Sequence, residues 1–102
     1  MVCATSMMAQ DVRAAERYQR EAEYYRRQAE SYQRDADYYL REAKRKENDA
    51  AYYLRNKNYD RARDYYRSAA DAMDSYQDKM DAASRAASNA EDYLKRAANA
   101  MR

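Results

Sequence analysis

Glycine and proline are both absent from this chain of 102 residues. These two residues are the usual choices for tight turns and bulges, so a fold with many connections is disfavoured. Alanine is the commonest residue, followed by Arg, Tyr and Asp, and Arg, Glu, Lys and Gln come close to its high helix propensity. The chain has no Ile and no Phe, so β-propensity rests almost entirely on its 13 Tyr. The composition therefore predicts an all-α protein.

Alanine and tyrosine recur in a heptad pattern through the first half of the chain. With Ala15 as position a, every a position is Ala, and every d position except one Lys is Tyr. Alternating spacings of three and four residues are typical of the contact seam of a coiled coil. The pattern predicts a helix over 11–55 whose seam comprises Ala15, Tyr18, Ala22, Tyr25, Ala29, Tyr32, Ala36, Tyr39, Ala43, Lys46, Ala50 and Tyr53.

The heptad register fails after Tyr53, and a second apolar series begins at Tyr59. Between the two series lies a stretch with Asn56 and Asn58, and Asn readily adopts left-handed and capping conformations. We therefore predict a turn at 55–58 and a second helix over 59–101. The predicted seam of this second helix comprises Tyr59, Ala62, Tyr66, Ala69, Met73, Tyr76, Met80, Ala83, Ala87, Ala90, Leu94, Ala97 and Met101.

Folding the chain back about Asn56 brings side chains of similar size together. Ala22 would meet Ala90, whereas Tyr18 would meet Leu94 and Tyr53 would meet Tyr59. Interleaved thin and thick layers favour close antiparallel packing, so we predict a hairpin of two long, coiled-coil-like helices with an Ala/Tyr seam. Because alanine buries little area, such a hairpin is expected to pack into a higher-order helical assembly. The alternative is one continuous helix with a local defect.

Residues 1–10 are uncharged and mostly apolar, and we predict that they form a tail before a single hairpin domain at 11–102. One interpretation is the remnant of an export signal, which would favour an exported or cell-surface protein; the other is an ordinary fraying helix start. The single cysteine, Cys3, excludes an internal disulfide and leaves an intermolecular one open.

Catalytic groups are scarce in this sequence. It has no His, no glycine-rich phosphate loop and no nucleophile elbow. We therefore expect a protein that is not an enzyme and that has no cofactor and no small-molecule substrate. A carboxylate-only site for a hard cation is the remaining alternative.

Arginine and tyrosine together can bind nucleic acids, but the charge pattern disfavours that function here. The net charge is only +2, and several acids of the first helix, such as Glu23, lie four residues before an Arg, such as Arg27. That spacing favours an ion pair within the helix, so we expect no nucleic-acid partner. No apolar run approaches about 18 residues, so we expect no membrane insertion.

Tyrosines outside the predicted seam indicate a contact with other copies of the chain. Their regular spacing and amphipathic rings suit an interface, although a tyrosine can also simply be tolerated on a helix surface. An arginine stripe on the first helix and an acidic stripe on the second would face each other between copies. The predicted self-association interface comprises Tyr24, Tyr38, Tyr52, Tyr65, Tyr93, Arg20, Arg27, Arg34, Arg41, Asp64, Asp71 and Asp78.

The sequence thus predicts a structural, self-associating protein, the helical-hairpin subunit of a homo-oligomeric bundle, fibre or filament. The alternative is a non-enzymatic protein-binding module, or a cell-envelope spacer, that acts as a rigid coiled-coil rod. The two differ in the partner: the chain itself in the first, another protein in the second.

Overall fold

The computed structural model describes residues 2–101, and it describes side chains from residue 11 onward. Two helices, α1 (Val2–Arg55) and α2 (Tyr59–Ala100), pack against each other as an antiparallel hairpin. The predicted fold class is confirmed, and the alternative of one continuous helix is wrong. Packing into a higher-order assembly stays a prediction.

The first helix is longer than predicted, because α1 begins at Val2 and not at residue 11. The stretch predicted as a tail is therefore helical from Val2 onward. The side chains of residues 1–10, including the Cys3 thiol, lie outside the described part of the structure. Whether these residues are an export-signal remnant stays open.

The chain divides into two compact units. The turn unit is Ser31–Ala82, and the terminal unit combines Met1–Glu30 with Ala83–Arg102. Both helices contribute to each unit, so each contains its own portion of the seam. The prediction of a single domain at 11–102 stays a prediction, and the two units are described separately below.

Three residues, Asn56, Lys57 and Asn58, reverse the chain. The Lys57 N–H donates to the Leu54 carbonyl at 3.1 Å and the Asn58 N–H to the Tyr53 carbonyl at 2.9 Å. This pair of bonds is a Schellman motif, which requires a left-handed residue at the position of Lys57, whose φ is 62°. The turn lies where it was predicted, but a lysine and not an asparagine takes the left-handed conformation.

Asn58 is the last residue of the turn and directly precedes α2. Its side-chain Oδ1 accepts the Arg61 N–H at 3.3 Å, and its carbonyl accepts the Ala62 N–H at 3.0 Å. This arrangement is an N-cap, which satisfies one of the free N–H groups at the start of a helix. The same residue thus closes one helix and caps the next, which is why three residues suffice for the turn.

We expect Lys57→Gly to raise the free energy of unfolding by roughly 0.5–1 kcal/mol, since glycine removes the left-handed strain but loses more chain entropy on folding. Denaturant titration followed by circular dichroism measures the change. Lys57→Ala is the matched control, because it removes the charge and keeps the Cβ that causes the strain. Equal stabilities for the two variants would contradict this account of the turn.

Alanine forms the buried part of the hairpin. Among residues 11–101, every buried side chain is an alanine, and each is at most 8% exposed. Side chains this small let two helices approach closely, and each buried methyl stabilises the fold by about 0.8 kcal/mol. The buried residues are Ala22, Ala36, Ala43 and Ala50 in α1, and Ala62, Ala69, Ala72, Ala83, Ala86 and Ala90 in α2.

The seam of α2 differs from the prediction at several alternate positions. The expected residues at 62, 69, 76, 83, 90 and 97 do face α1 and are buried or half-buried. At several of the positions between them the preceding residue faces α1, so that Ala72 is buried and Met73 is exposed, whereas the predicted Met80 is half-buried. The same one-residue shift replaces Tyr66, Ala87 and Leu94 with Tyr65, Ala86 and Tyr93.

The physical reason for this shift is side-chain size. An alanine-lined α1 brings the helices close, and Ala72 and Ala86 fit between them where Met73 would hold them apart. Met73 therefore turns outward, and Tyr65 and Tyr93, which share the heptad position of Ala72, stack on tyrosines of α1. In α2, heptad position a is therefore Ala62 and its repeats, and position d is Tyr65 and its repeats.

Tyrosine stacks fill the wider layers of each unit. In the terminal unit, the Tyr25 and Tyr93 rings stack at 5.7 Å with an interplanar angle of 11°, and Tyr18 lies 6.1 Å from Tyr93. In the turn unit, Tyr53 and Tyr65 stack at 5.4 Å and 12°. The predicted pairs of Tyr18 with Leu94 and of Tyr53 with Tyr59 are therefore wrong.

The single lysine in the α1 seam has a polar partner. Lys46 is half-buried, and its Nζ donates to the Ser68 Oγ at 3.3 Å across the turn unit. An ammonium group at a seam position is costly unless it is hydrogen-bonded or reaches water along its stem. The hydrogen bond to Ser68 therefore explains how the Ala/Tyr seam of α1 can contain one lysine.

Candidate self-association surfaces

A line of tyrosines on α1 lies outside the seam, as predicted. Tyr24, Tyr38 and Tyr52 are 53–55% exposed, which is nearly the same value for all three. Each ring meets the edge of the next tyrosine in sequence, at centroid distances of 5.2, 5.2 and 5.3 Å. One tyrosine of each Tyr-Tyr pair thus packs in the seam and contacts the ring of the other, exposed one. Their role in self-association stays a prediction.

Tyr65 and Tyr93 do not lie where the sequence predicted. Both were expected outside the seam, but both are half-buried in it, stacked on Tyr53 and Tyr25 respectively. The cause is the one-residue shift of the α2 seam described above. These two rings stabilise the hairpin itself, and most of their surface is not available to a second copy.

The predicted charged stripes are exposed. On α1 these residues are Arg20, Arg27, Arg34 and Arg41, and on α2 they are Asp64, Asp71 and Asp78. Of the ion pairs predicted within α1, Glu23 and Arg27 form one at 3.5 Å. Within residues 11–101, the other three arginines of this stripe, Arg20, Arg34 and Arg41, form no ion pair with the acid four residues earlier. The arginines are therefore less neutralised by their own helix than the sequence indicated.

The turn unit carries an apolar surface that the sequence analysis did not identify. We call it the turn patch and define it as Leu54, Tyr59, Tyr66 and Met73, which are 40–63% exposed. Three of these residues line a shallow depression together with two alanines and two arginines. The full lining is Leu54, Tyr59, Ala62, Arg63, Tyr66, Arg67 and Ala70.

The terminal unit carries a second apolar surface. We call it the terminal patch and define it as Val12, Leu94 and Met101, which are 39–56% exposed. Its shallow depression also has alanines between the larger side chains, but its polar lining is acidic and neutral where that of the turn patch is basic. The full lining is Val12, Ala15, Glu16, Gln19, Leu94, Ala97, Ala98 and Met101.

The α2 residues of both patches come from one repeated heptad position. Tyr59, Tyr66, Met73, Leu94 and Met101 are separated by multiples of seven residues, and each follows a d position of α2. They were predicted in the seam because they alternate with the a positions at spacings of three and four residues from Tyr59 onward. The signal that identifies them is the width of the apolar stripe, which covers positions a, d and e where a two-stranded seam requires only a and d.

Polar groups at the seam position Lys79 and on the other flank of the seam also join the two helices of the turn unit. The Lys79 Nζ lies 3.7 Å from the Asp35 carboxylate and 5.6 Å from the Tyr32 ring centroid. The Arg61 guanidinium lies 5.5 Å from the Tyr53 ring centroid and donates to the Tyr53 hydroxyl at 3.3 Å. Polar contacts therefore bridge the helices at the seam and on this flank, and exposed apolar side chains occupy the opposite flank.

The described residues offer neither a metal site nor a membrane span. In that part of the chain, no group of three or more Cys, Asp or Glu side chains is placed to hold a metal ion. Neither described helix is long and apolar enough to cross a membrane.

Comparisons with known proteins found no match for this chain. Neither a protein-family model, nor a curated protein, nor a solved structure matches the chain. The geometry of the hairpin and the chemistry of its surfaces are therefore the basis for its function.

Proposed function

We propose that this chain is a structural protein that associates with copies of itself into a homo-oligomeric helical assembly. The main support is that the hairpin buries its small apolar side chains and exposes many of its larger ones. Within residues 11–101 the hairpin buries only alanines, whereas ten larger apolar side chains of Val, Leu, Met and Tyr are exposed. A helix normally turns its larger apolar residues toward a partner, so the exposed ones favour a further partner.

The energetics favour contact through the apolar and aromatic groups. Surface ion pairs stabilise an interface by only about 0–1 kcal/mol each, so the arginine and aspartate stripes would set orientation. Tyr, Leu and Met side chains stabilise it by about 1.5–3 kcal/mol each when fully buried. The exposed tyrosine line on α1 and the two patches therefore carry the larger share of the affinity.

Sedimentation velocity over a range of protein concentrations tests the proposal. We expect the average mass to rise above that of a single chain as the concentration increases. Electron microscopy of the most concentrated sample would then distinguish a closed bundle from a fibre or filament. A fully helical chain that stays monomeric at every concentration would contradict the proposal and favour the binding-module alternative.

Removing two rings of the exposed tyrosine line tests the predicted part of the interface. We expect Tyr24→Ala combined with Tyr38→Ala to weaken self-association by roughly tenfold, because interface tyrosines are common hot spots. Helicity should be retained, since both rings lie outside the seam. Sedimentation and circular dichroism of the same samples measure the two quantities.

The matched control replaces the same two tyrosines with phenylalanine, which retains the ring and its edge contact with the neighbouring tyrosine. This variant should associate like the unchanged chain. If the alanine variant unfolds while association is unaffected, the division between seam and exposed tyrosines is wrong.

A further inference from the structure

We propose that the turn patch of one copy docks on the terminal patch of a second copy of this chain. The proposal rests on the proposed function, because it specifies which surfaces meet during self-association. The second copy is the chosen occupant since the two patches complement each other in both shape and charge.

Shape complementarity comes from large side chains beside alanines. In the turn patch, Tyr59 and Tyr66 stand next to Ala62 and Ala70. In the terminal patch, the larger residues Leu94 and Met101 stand next to Ala15, Ala97 and Ala98 in the same way. The large groups of each patch can therefore enter the alanine-lined depression of the other, as knobs enter holes between helices. The flexible Met101 side chain suits such a fit.

Charge complementarity selects this pairing over pairing of like patches. The turn patch is lined by Arg63 and Arg67, and the terminal patch is lined by Glu16. Two turn patches in contact would place arginines against arginines, which disfavours that arrangement. Arg63 already lies 3.7 Å from the carboxylates of Asp60 and Asp64, so Arg67 is the better residue for a test.

The contact joins two different surfaces, and it therefore permits two assemblies. Two copies can satisfy each other's patches in a closed pair, or each copy can pass the contact on to the next in an open chain. In both assemblies every contact has an arginine side and a glutamate side, so one charge-exchange experiment applies to both.

The test uses two single variants, Arg67→Glu and Glu16→Arg. Each alone should weaken self-association by roughly tenfold, because each places like charges on both sides of every contact. An equimolar mixture should restore association. In a mixed contact, the introduced glutamate of one variant meets the introduced arginine of the other, or the original Arg67 meets the original Glu16. The measurement is made at low ionic strength, since salt screens exposed charges.

The matched control pair is Lys44→Glu and Asp49→Arg. Both residues are exposed on α1, neither lines a patch, and neither belongs to a charged stripe. Each control variant, and their mixture, should associate like the unchanged chain. Circular dichroism of every variant establishes that the helices remain folded.

The possible results separate this proposal from the proposed function. Restored association in the mixture supports the docking of the turn patch on the terminal patch. If the single variants associate like the unchanged chain, or if the weakened variants are not restored by mixing, this pairing is overturned while self-association stands. If the unchanged chain is itself monomeric, both proposals are overturned.

Discussion

Replacing Ala36 with arginine is expected to unfold the hairpin. Ala36 is 0% exposed in the α1 seam of the turn unit, between the seam residues Tyr32 and Tyr39. A larger side chain at such a site costs about 1–3 kcal/mol through overpacking, and an unpaired buried charge costs several more. Natural domains are stable by only roughly 5–15 kcal/mol, so a hairpin with an alanine core has little reserve. Thermal and denaturant unfolding followed by circular dichroism measure the loss.

The control for Ala36→Arg is the same substitution at the exposed Ala87. Ala87→Arg should retain the helical signal, because arginine is a good helix former and its charge stays in water. Ala36→Leu should fall between the two, with a loss of about 1–3 kcal/mol from overpacking alone. If Ala36→Arg and Ala87→Arg are equally stable, the alanine seam does not hold the helices together.

Replacing Tyr93 with alanine is expected to lower the free energy of unfolding by about 2–3 kcal/mol. This loss is smaller than that for a fully buried aromatic residue, because the Tyr93 ring is only half-buried. The variant removes the stack on Tyr25 at 5.7 Å and the contact with Tyr18 at 6.1 Å. It also removes the ring beneath the Arg96 guanidinium, 4.9 Å away. Denaturant titration measures the loss.

The comparison variant for Tyr93→Ala is Leu94→Ala, one residue further along α2. Leu94 is exposed, so its removal should change the stability of the single chain by less than about 0.5 kcal/mol. Association adds to apparent stability, so the titrations are repeated at several protein concentrations. A larger loss for Leu94→Ala than for Tyr93→Ala at low concentration would show that the sequence-based seam was right and the structural one wrong.

The seam of α2 could not be predicted from the sequence alone. Positions a, d and e of α2 are all largely apolar, so two neighbouring seams fit the same sequence pattern. The series of alternating spacings that starts at Tyr59 placed Met73 and Leu94 in the seam. The structure buries Ala72 and stacks Tyr93, because the distance between the helices depends on the partner helix as well as on α2 itself.

The positions of the predicted interface tyrosines were likewise predicted correctly on α1 and wrongly on α2. Tyr24, Tyr38 and Tyr52 were predicted to lie outside the seam because α1 has only one apolar pattern to choose from. Tyr65 and Tyr93 were misplaced because α2 has two. The turn patch and the terminal patch were missed for the same reason, since their α2 residues were assigned to the core.

The sequence by itself determined the presence of two helices, the position of the turn and the seam of α1. The absence of Gly and Pro and the strict spacing of Ala and Tyr are local properties, and each residue contributes to them independently of any partner. Only the tertiary structure decided which face of α2 meets α1, and therefore which large apolar side chains stay exposed. That choice depends on how closely two alanine-lined helices can approach, a property of the pair that neither helix carries alone.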